Sequence, residues 1–136
     1  MNSLLTLLGA LAAVFGTTPD RPPYQPGQVW EYATRPQDSG SRIKIQQIEQ
    51  APDGTIYHIS MIGARIGPDG KPAQVAHLPV SRRTLDASVT RLGPQDTAFP
   101  DAAEGIATWR ENKGGVFTIS LAEIADTLES SLRQAQ

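Results

Sequence analysis

The turn Ala51-Pro52-Asp53-Gly54 constrains the fold of this chain most, because it joins two segments of β-forming residues. Proline presets φ at the second position of such a turn, and glycine accepts a positive φ at the fourth. The segment 42–50 begins with alternating apolar and polar residues, and a second β-rich segment, 55–63, follows the turn. The pattern therefore predicts an antiparallel hairpin.

The turn also predicts which side chains share a face of this hairpin. A type I turn with Gly54 as a bulge pairs Ala51 with Thr55, and that register fixes both faces. We expect an apolar face with Ile43, Ile45, Tyr57, Ile59 and Met61, and a mixed face with Lys44, Gln46, Ile48, His58, Ser60 and Ile62.

Three other segments are expected to form strands. They are 29–34, a short segment at 74–78 and a last segment at 116–119. The register of the first is open, so Trp30 and Tyr32 lie either in the core or on the His58 face. On the His58 face, Trp30 and Tyr32 would form the floor of an aromatic groove.

Three helices are indicated by caps and apolar stripes. The first begins after Ser81 and carries Leu85, Val89 and Leu92 until a Gly-Pro pair stops it. Asp101 with Glu104 resembles a capping box for the second helix, and Ser120 with Glu123 resembles one for the third. We expect an α+β fold in which an antiparallel sheet of three to five strands carries about three helices on one face.

The beginning of the chain predicts a leader and a tether ahead of a single domain at 28–136. Residues 4–16 form an apolar run that resembles a signal-peptide core and is too short to span a bilayer stably. Residues 17–27 hold four prolines and are expected to be an extended tether. The chain is then periplasmic or secreted if the leader is cleaved. The first three residues carry no Lys or Arg, so an N-terminal helix packed on the domain is the alternative.

Composition excludes several classes of chemistry. The chain has no cysteine, which removes disulfides, thiolate metal sites and thiol nucleophiles. Its 12 basic and 14 acidic residues give a formal charge of −2, so we expect no nucleic-acid partner. His58 and His77 lack carboxylates at metal-ligand spacing, and no phosphate-binding loop occurs. We therefore expect no metal and no cofactor.

The candidate site is the polar row on the mixed face of the hairpin. It comprises Arg42, Lys44, Gln46, His58 and Ser60. A polar row across a sheet can bind a partner, or can pair a histidine base with a hydroxyl nucleophile. The plainer interpretation is the solvated face of an antiparallel sheet.

The chain resembles a family of small bacterial proteins in five segments, which are 24–36, 41–49, 56–60, 79–89 and 115–119. The shared opening of this family is Pro-Gly-Gln-Val-Trp-Glu-Tyr-x-Thr-Arg-Pro, which this chain has at residues 26–36. The family has no assigned function, so the resemblance implies a similar α+β layout and no catalytic residues. It also implies a start near this opening without a leader, which favours a cytoplasmic chain.

Three hypotheses for the function follow. The first is a non-enzymatic binding module that presents a face or an edge of its sheet to a protein partner, as small immunity or inhibitor proteins do. The second is a small hydrolase or isomerase that uses His58 with a partner across the sheet. The third is a cytoplasmic protein of unknown role whose true start lies downstream of Met1. The oligomeric state stays open.

Overall fold

A computed structural model describes residues 23–135, so the predicted leader and the first part of the tether lie outside the described residues. The strands are β1 (Val29–Tyr32), β2 (Arg42–Ala51), β3 (Gly54–Ala64), β4 (Ala73–Ser81) and β5 (Val89–Leu92). The helices are α1 (Arg82–Ser88), α2 (Ala103–Glu111) and α3 (Leu121–Gln134), with a 3₁₀ turn at Pro36–Asp38. None of the helices in this part of the chain is long and apolar enough to cross a bilayer.

The five strands form one antiparallel sheet in the order β4-β3-β2-β1-β5. The expected α+β fold with an antiparallel sheet and three helices is confirmed. Trp30 lies opposite Ile43, and both Trp30 and Tyr32 are buried in the main core. The register of the first strand therefore places Trp30 and Tyr32 in the core and not on the His58 face.

The helices pack on both faces of the sheet. The main core lies between one face, which we call the core face, and helices α1 and α3. It includes Ile43, Ile45, Tyr57, Ile59, Met61, Val80, Leu85, Leu121, Ile124 and Ala125. Helix α2 lies on the opposite face, the polar face, where Trp109 contacts the ring of His58. Two helices thus cover the core face and one covers the polar face, so the expectation that all three helices pack on one face is wrong.

The hairpin forms as expected, but its register differs. The structure pairs Ala51 with Gly54 and Gln50 with Thr55, so the predicted pairing of Ala51 with Thr55 is wrong by one residue. Gln46 is then an extra residue in β2, and beyond this bulge Ile45 lies opposite Ile59. The five apolar residues expected on one face are all buried there.

Ile48 is the residue that the bulge moves between faces. Gln46 shifts the alternation of β2 by one position, so Ile48 pairs with Tyr57 and packs against the core. Its predicted place on the mixed face is therefore wrong. The same shift turns Glu49 toward the polar face.

The first predicted helix is too long, and its second half is a strand. The side chain of Ser81 caps α1 by accepting a hydrogen bond from the Thr84 N–H at 3.2 Å, as expected. The helix ends at Ser88, however, and residues 89–92 form β5 against β1. Val89 and Thr90 are β-branched, and pairing with β1 satisfies the backbone of both strands.

The predicted last strand, 116–119, is reduced to one residue. Phe117 makes a parallel bridge with Val80, through bonds of 2.9 Å from Ser81 N to Phe117 O and from Phe117 N to Pro79 O. The capping box of α3 is confirmed, because the Ser120 side chain and the Glu123 carboxylate each bond the other residue's backbone N–H. At α2, by contrast, Asp101 bonds the Ala103 N–H and no side chain caps the helix from position 102.

The described end of the tether is packed on the domain. Tyr24 meets the rings of Trp30 and Tyr57 edge-on and donates a hydrogen bond of 2.7 Å to Asp86. The Gly27 N–H donates to Ile45 O. The last residues of the proline-rich segment are therefore anchored beside β1.

An ion cluster around Arg35 fastens the loops to α3. The Arg35 guanidinium is 6% exposed and forms a two-point pair with Asp38, which is fully buried. It also reaches Asp126 at 3.0 Å and Glu129 at 2.7 Å on α3. These carboxylates raise the pKa of Arg35 above its already high usual value.

We expect Arg35→Met to lower the free energy of unfolding by about 3–5 kcal/mol, because it leaves the Asp38 carboxylate buried without its cation. The control Asp126→Asn removes a carboxylate that is 68% exposed and should cost under about 1 kcal/mol. Urea unfolding of both variants measures the difference. Equal costs would contradict the distinction between the buried and the exposed carboxylate partners of Arg35.

Candidate functional site

The centre of the predicted polar row is buried. His58 and Ser60 are both 0% exposed, because α2 and the segment before it lie over them. The interpretation of this row as a solvated sheet face is wrong for these two residues. Neither side chain can contact a partner directly in this conformation.

A hydrogen-bonded chain of three side chains runs across the polar face from β2 to β4. The Glu49 carboxylate lies 2.7 Å from His58 Nε2, and His58 Nδ1 lies 2.8 Å from His77 Nε2. If His58 is neutral and donates Nε2–H to Glu49, its Nδ1 accepts from His77 Nε2–H. Carboxylate, buried imidazole and second imidazole therefore form one relay.

Helix α2 closes over this relay. The Trp109 ring stands edge-on to both imidazoles, with centroid distances of 5.0 Å to His58 and 6.2 Å to His77. Arg110 donates to the Glu49 carboxylate at 2.7 Å. Gly105 permits the close approach, because a Cβ there would lie 2.5 Å from the Cβ of His77. The relay is thus also the surface on which α2 rests.

The charges of the relay are set by this packing. The hydrogen bond from His58, together with Arg110, lowers the pKa of the Glu49 carboxyl. Burial, followed by the nearby His58 and Arg110, lowers the pKa of His77 to about 4. At neutral pH the outer imidazole is therefore neutral and the carboxylate is charged.

Gln46 and Ser60 tie the bulge of β2 to the segment before α2. The Gln46 amide donates to Ser60 Oγ and to the carbonyl of Pro100, each at 2.9 Å. Ser60 Oγ in turn donates to Ala76 O at 2.7 Å. Their partners make these side chains supports of the polar face, with no free nucleophile at Ser60.

The two predicted cations lie on the same face, nearer the start of β2. Lys44 pairs with Ser60 in the register of the sheet, and Arg42 pairs with Ile62. The Arg42 side chain runs beside Gly93, and its Nε is buried without a hydrogen-bond partner. The structure therefore brings Gln46, His58 and Ser60 together under α2 and the segment before it, while Arg42 stands apart.

A groove of about 680 Å³ lies along the outer edge of β4, between α2 and α3. Its floor is formed by residues 73–77, which end at His77, the outer member of the relay. One wall belongs to α2 and the segment before it, and the other to α3 and Ile66. The wall residues are Asp101, Glu104, Gly105 and Thr108 on the first side, and Leu128, Ser131, Leu132 and Ile66 on the second.

The strand edge in this groove is open within residues 23–135. β4 is the last strand of the sheet, and Phe117 covers its outer edge only at Pro79 and Ser81. No other described backbone bonds to residues 73–77 from that side. An uncovered strand edge can accept another strand.

No three histidine or acidic side chains among residues 23–135 are grouped so that they could hold a metal ion. His58 instead bonds directly to both Glu49 and His77. The polar face thus carries a hydrogen-bonded chain that could move a proton, and the groove contains an unpaired strand edge.

Sequence reasoning missed Glu49, His77 and Trp109 as members of this site. The spacing of Ile45 and Ile48 by three residues signals the bulge that turns Glu49 toward His58. Val75 and Leu78 show the same spacing beside His77, where β4 also bulges. No comparable local signal identifies Trp109, because its position depends on where α2 docks.

No protein-family model, curated protein or solved structure matches this chain. The resemblance to a family of small bacterial proteins therefore stays a prediction.

The relay predicts a loss of stability in mild acid. The pKa of His77 is lowered from 6.5 to about 4 in the folded protein. Between pH 4 and 6.5 the unfolded chain therefore binds more protons than the folded protein. The contribution of neutral His77 is complete above pH 6.5 and is lost as pH falls toward 4. His77→Gln keeps an N–H donor without titrating, so its urea midpoint should vary less over this interval. Identical pH profiles for the two proteins would contradict the prediction.

Proposed function

We propose that this protein is a non-enzymatic binding module that takes an extended segment of a protein partner along the outer edge of β4. The observation that carries the proposal is the groove itself, where an open strand edge lies between two helical walls. Addition of a strand to such an edge is a recurring mode of peptide recognition, in which backbone hydrogen bonds supply affinity. An immunity- or inhibitor-like role is consistent with this mode.

The composition of the two edges favours β4 over β5. Residues 73–77 contain no Asp, Glu, Lys or Arg, whereas β5 carries Arg91, which is 77% exposed and paired with Glu31. Charged residues on an edge strand discourage pairing with other chains. Leu132, 45% exposed on the wall of the groove, adds apolar surface that a partner would cover.

The location of this binding is part of the proposal. The apolar run at 4–16 favours export, and the periplasm or the exterior is then where the partner is met. The alternative is a cytoplasmic protein that begins downstream. The mass of the natural N-terminal peptide distinguishes the two.

Filling the groove should strongly reduce partner capture. We expect Ser131→Trp and Thr108→Trp, on opposite walls, to reduce capture from extract by about tenfold or more when the full chain is used as bait. Each new ring would occupy the space above the strand edge. Bound material is quantified by mass spectrometry against the unchanged protein.

The matched controls are Thr127→Trp on α3 and Ala107→Trp on α2, which are exposed positions outside the groove. They should retain capture. A partner that binds all four variants equally uses another surface, and that outcome would contradict the assignment of the binding site to β4. A bait that captures nothing would contradict the binding module itself.

A second candidate is a small hydrolase or isomerase, favoured by the relay from Glu49 through His58 to His77 at the end of the groove. A carboxylate that orients an imidazole is a feature of general-base catalysis. The pKa of His77, about 4, makes it a weak base at neutral pH, which ranks this candidate second. Ester hydrolysis by the full chain that is lost in both His77→Gln and Glu49→Gln would support it, and equal hydrolysis by all three proteins would exclude it.

A further inference from the structure

The two walls of the groove differ in chemistry. The wall on the α3 side is apolar where Ile66, Leu128 and Leu132 line it. Asp101 and Glu104 lie on the α2 side, and both are exposed. Within residues 23–135, no other Asp, Glu, Lys or Arg lines the groove. The groove is therefore apolar on one side and acidic on the other.

These walls lie on opposite faces of the sheet. Leu128 packs against the main core on the core face, whereas α2 rests on His58 at the polar face. Successive side chains of a β-strand point to opposite faces. A strand added beside residues 73–77 would therefore direct alternate side chains toward α3 and toward α2.

We infer that the segment bound at β4 is an extended strand in which apolar residues alternate with Lys or Arg. The apolar side chains would cover Leu128 and Leu132, and the cations would meet Asp101 and Glu104. This inference rests on the proposed function, and it adds the chemical class of the partner segment. The open edge comprises five residues, or about 17 Å of strand at ~3.3 Å per residue.

The neutrality of the floor is consistent with this pattern. Ala73 and Val75 pack toward the core, while His77 faces α2 and is neutral at neutral pH because burial lowers its pKa. A cation that approaches the α2 wall thus meets two carboxylates without an opposing charge from the floor. Arg110, the cation nearest the relay, is already bonded to Glu49.

Three synthetic peptides test the inference on the full chain. One alternates Lys and Val, a second has the same composition with the lysines and valines in two blocks, and a third alternates Glu and Val. We expect the alternating Lys peptide to bind at least about tenfold more tightly than the other two. Its binding should shift the backbone amide resonances of residues 73–77.

A double variant tests the acidic wall. Asp101→Asn with Glu104→Gln should weaken binding of the alternating Lys peptide several-fold and reduce its dependence on salt, because the asparagine keeps an oxygen for the Ala103 N–H while the charge is lost. Glu111→Gln is the matched control. This residue is exposed at the end of α2, outside the groove, and its loss should leave affinity unchanged.

The possible failures are distinguishable. If all three peptides shift residues 73–77 with equal affinity, the inference about alternation and charge is overturned while the strand-edge site stands. An unchanged affinity in the double variant would likewise overturn the role of the acidic wall. If no peptide shifts these residues, both the inference and the assignment of binding to β4 are overturned.

Discussion

A single extra residue in β2 decides what both faces of the sheet carry. Without the bulge at Gln46, strict alternation would place Glu49 on the core face with Ile43 and Ile45, and Ile48 among the polar side chains. The bulge exchanges these two residues. It gives the core an isoleucine that packs there and gives His58 its carboxylate partner. The packing of the core and the assembly of the relay thus depend on the same backbone irregularity.

The relay in turn explains how a polar face can hold a helix. Helix α2 has only one buried residue within its span, Ile106, so apolar burial alone gives it a weak attachment. Trp109 against two imidazoles, Gly105 against His77 and Arg110 on Glu49 add contacts with the polar face. Such a network holds firmly when each of its buried polar atoms has a partner, and it becomes costly when one is lost. One wall of the groove therefore depends on a polar network, and the other depends on the hydrophobic core.

The sequence predicted the parts of the fold that local chemistry decides. The Pro-Asp-Gly turn, the capping Ser81 and the capping box at Ser120 act over a few residues, and each stands where expected. The failures lie where a distant partner decides. Leu85, Val89 and Leu92 fit a helical stripe, but pairing with β1 draws residues 89–92 into the sheet. The burial of His58 depends on α2, which follows it by some 45 positions along the chain. Pro79 is a further local signal, because a proline within a strand indicates an edge strand, and β4 lies at the edge of the sheet.

The bridge at Phe117 limits how far the outer edge of β4 can be extended. It occupies the edge at Pro79 and Ser81, so an incoming strand can run along residues 73–77 and then meets the chain's own backbone. Stacked cross-β assemblies are built from uniform segments of six or seven residues that pair in register over their whole length. An edge of five residues, closed at one end and enclosed by two helices, is too short for that. The fold can thus keep a strand edge open without becoming a template for fibrils.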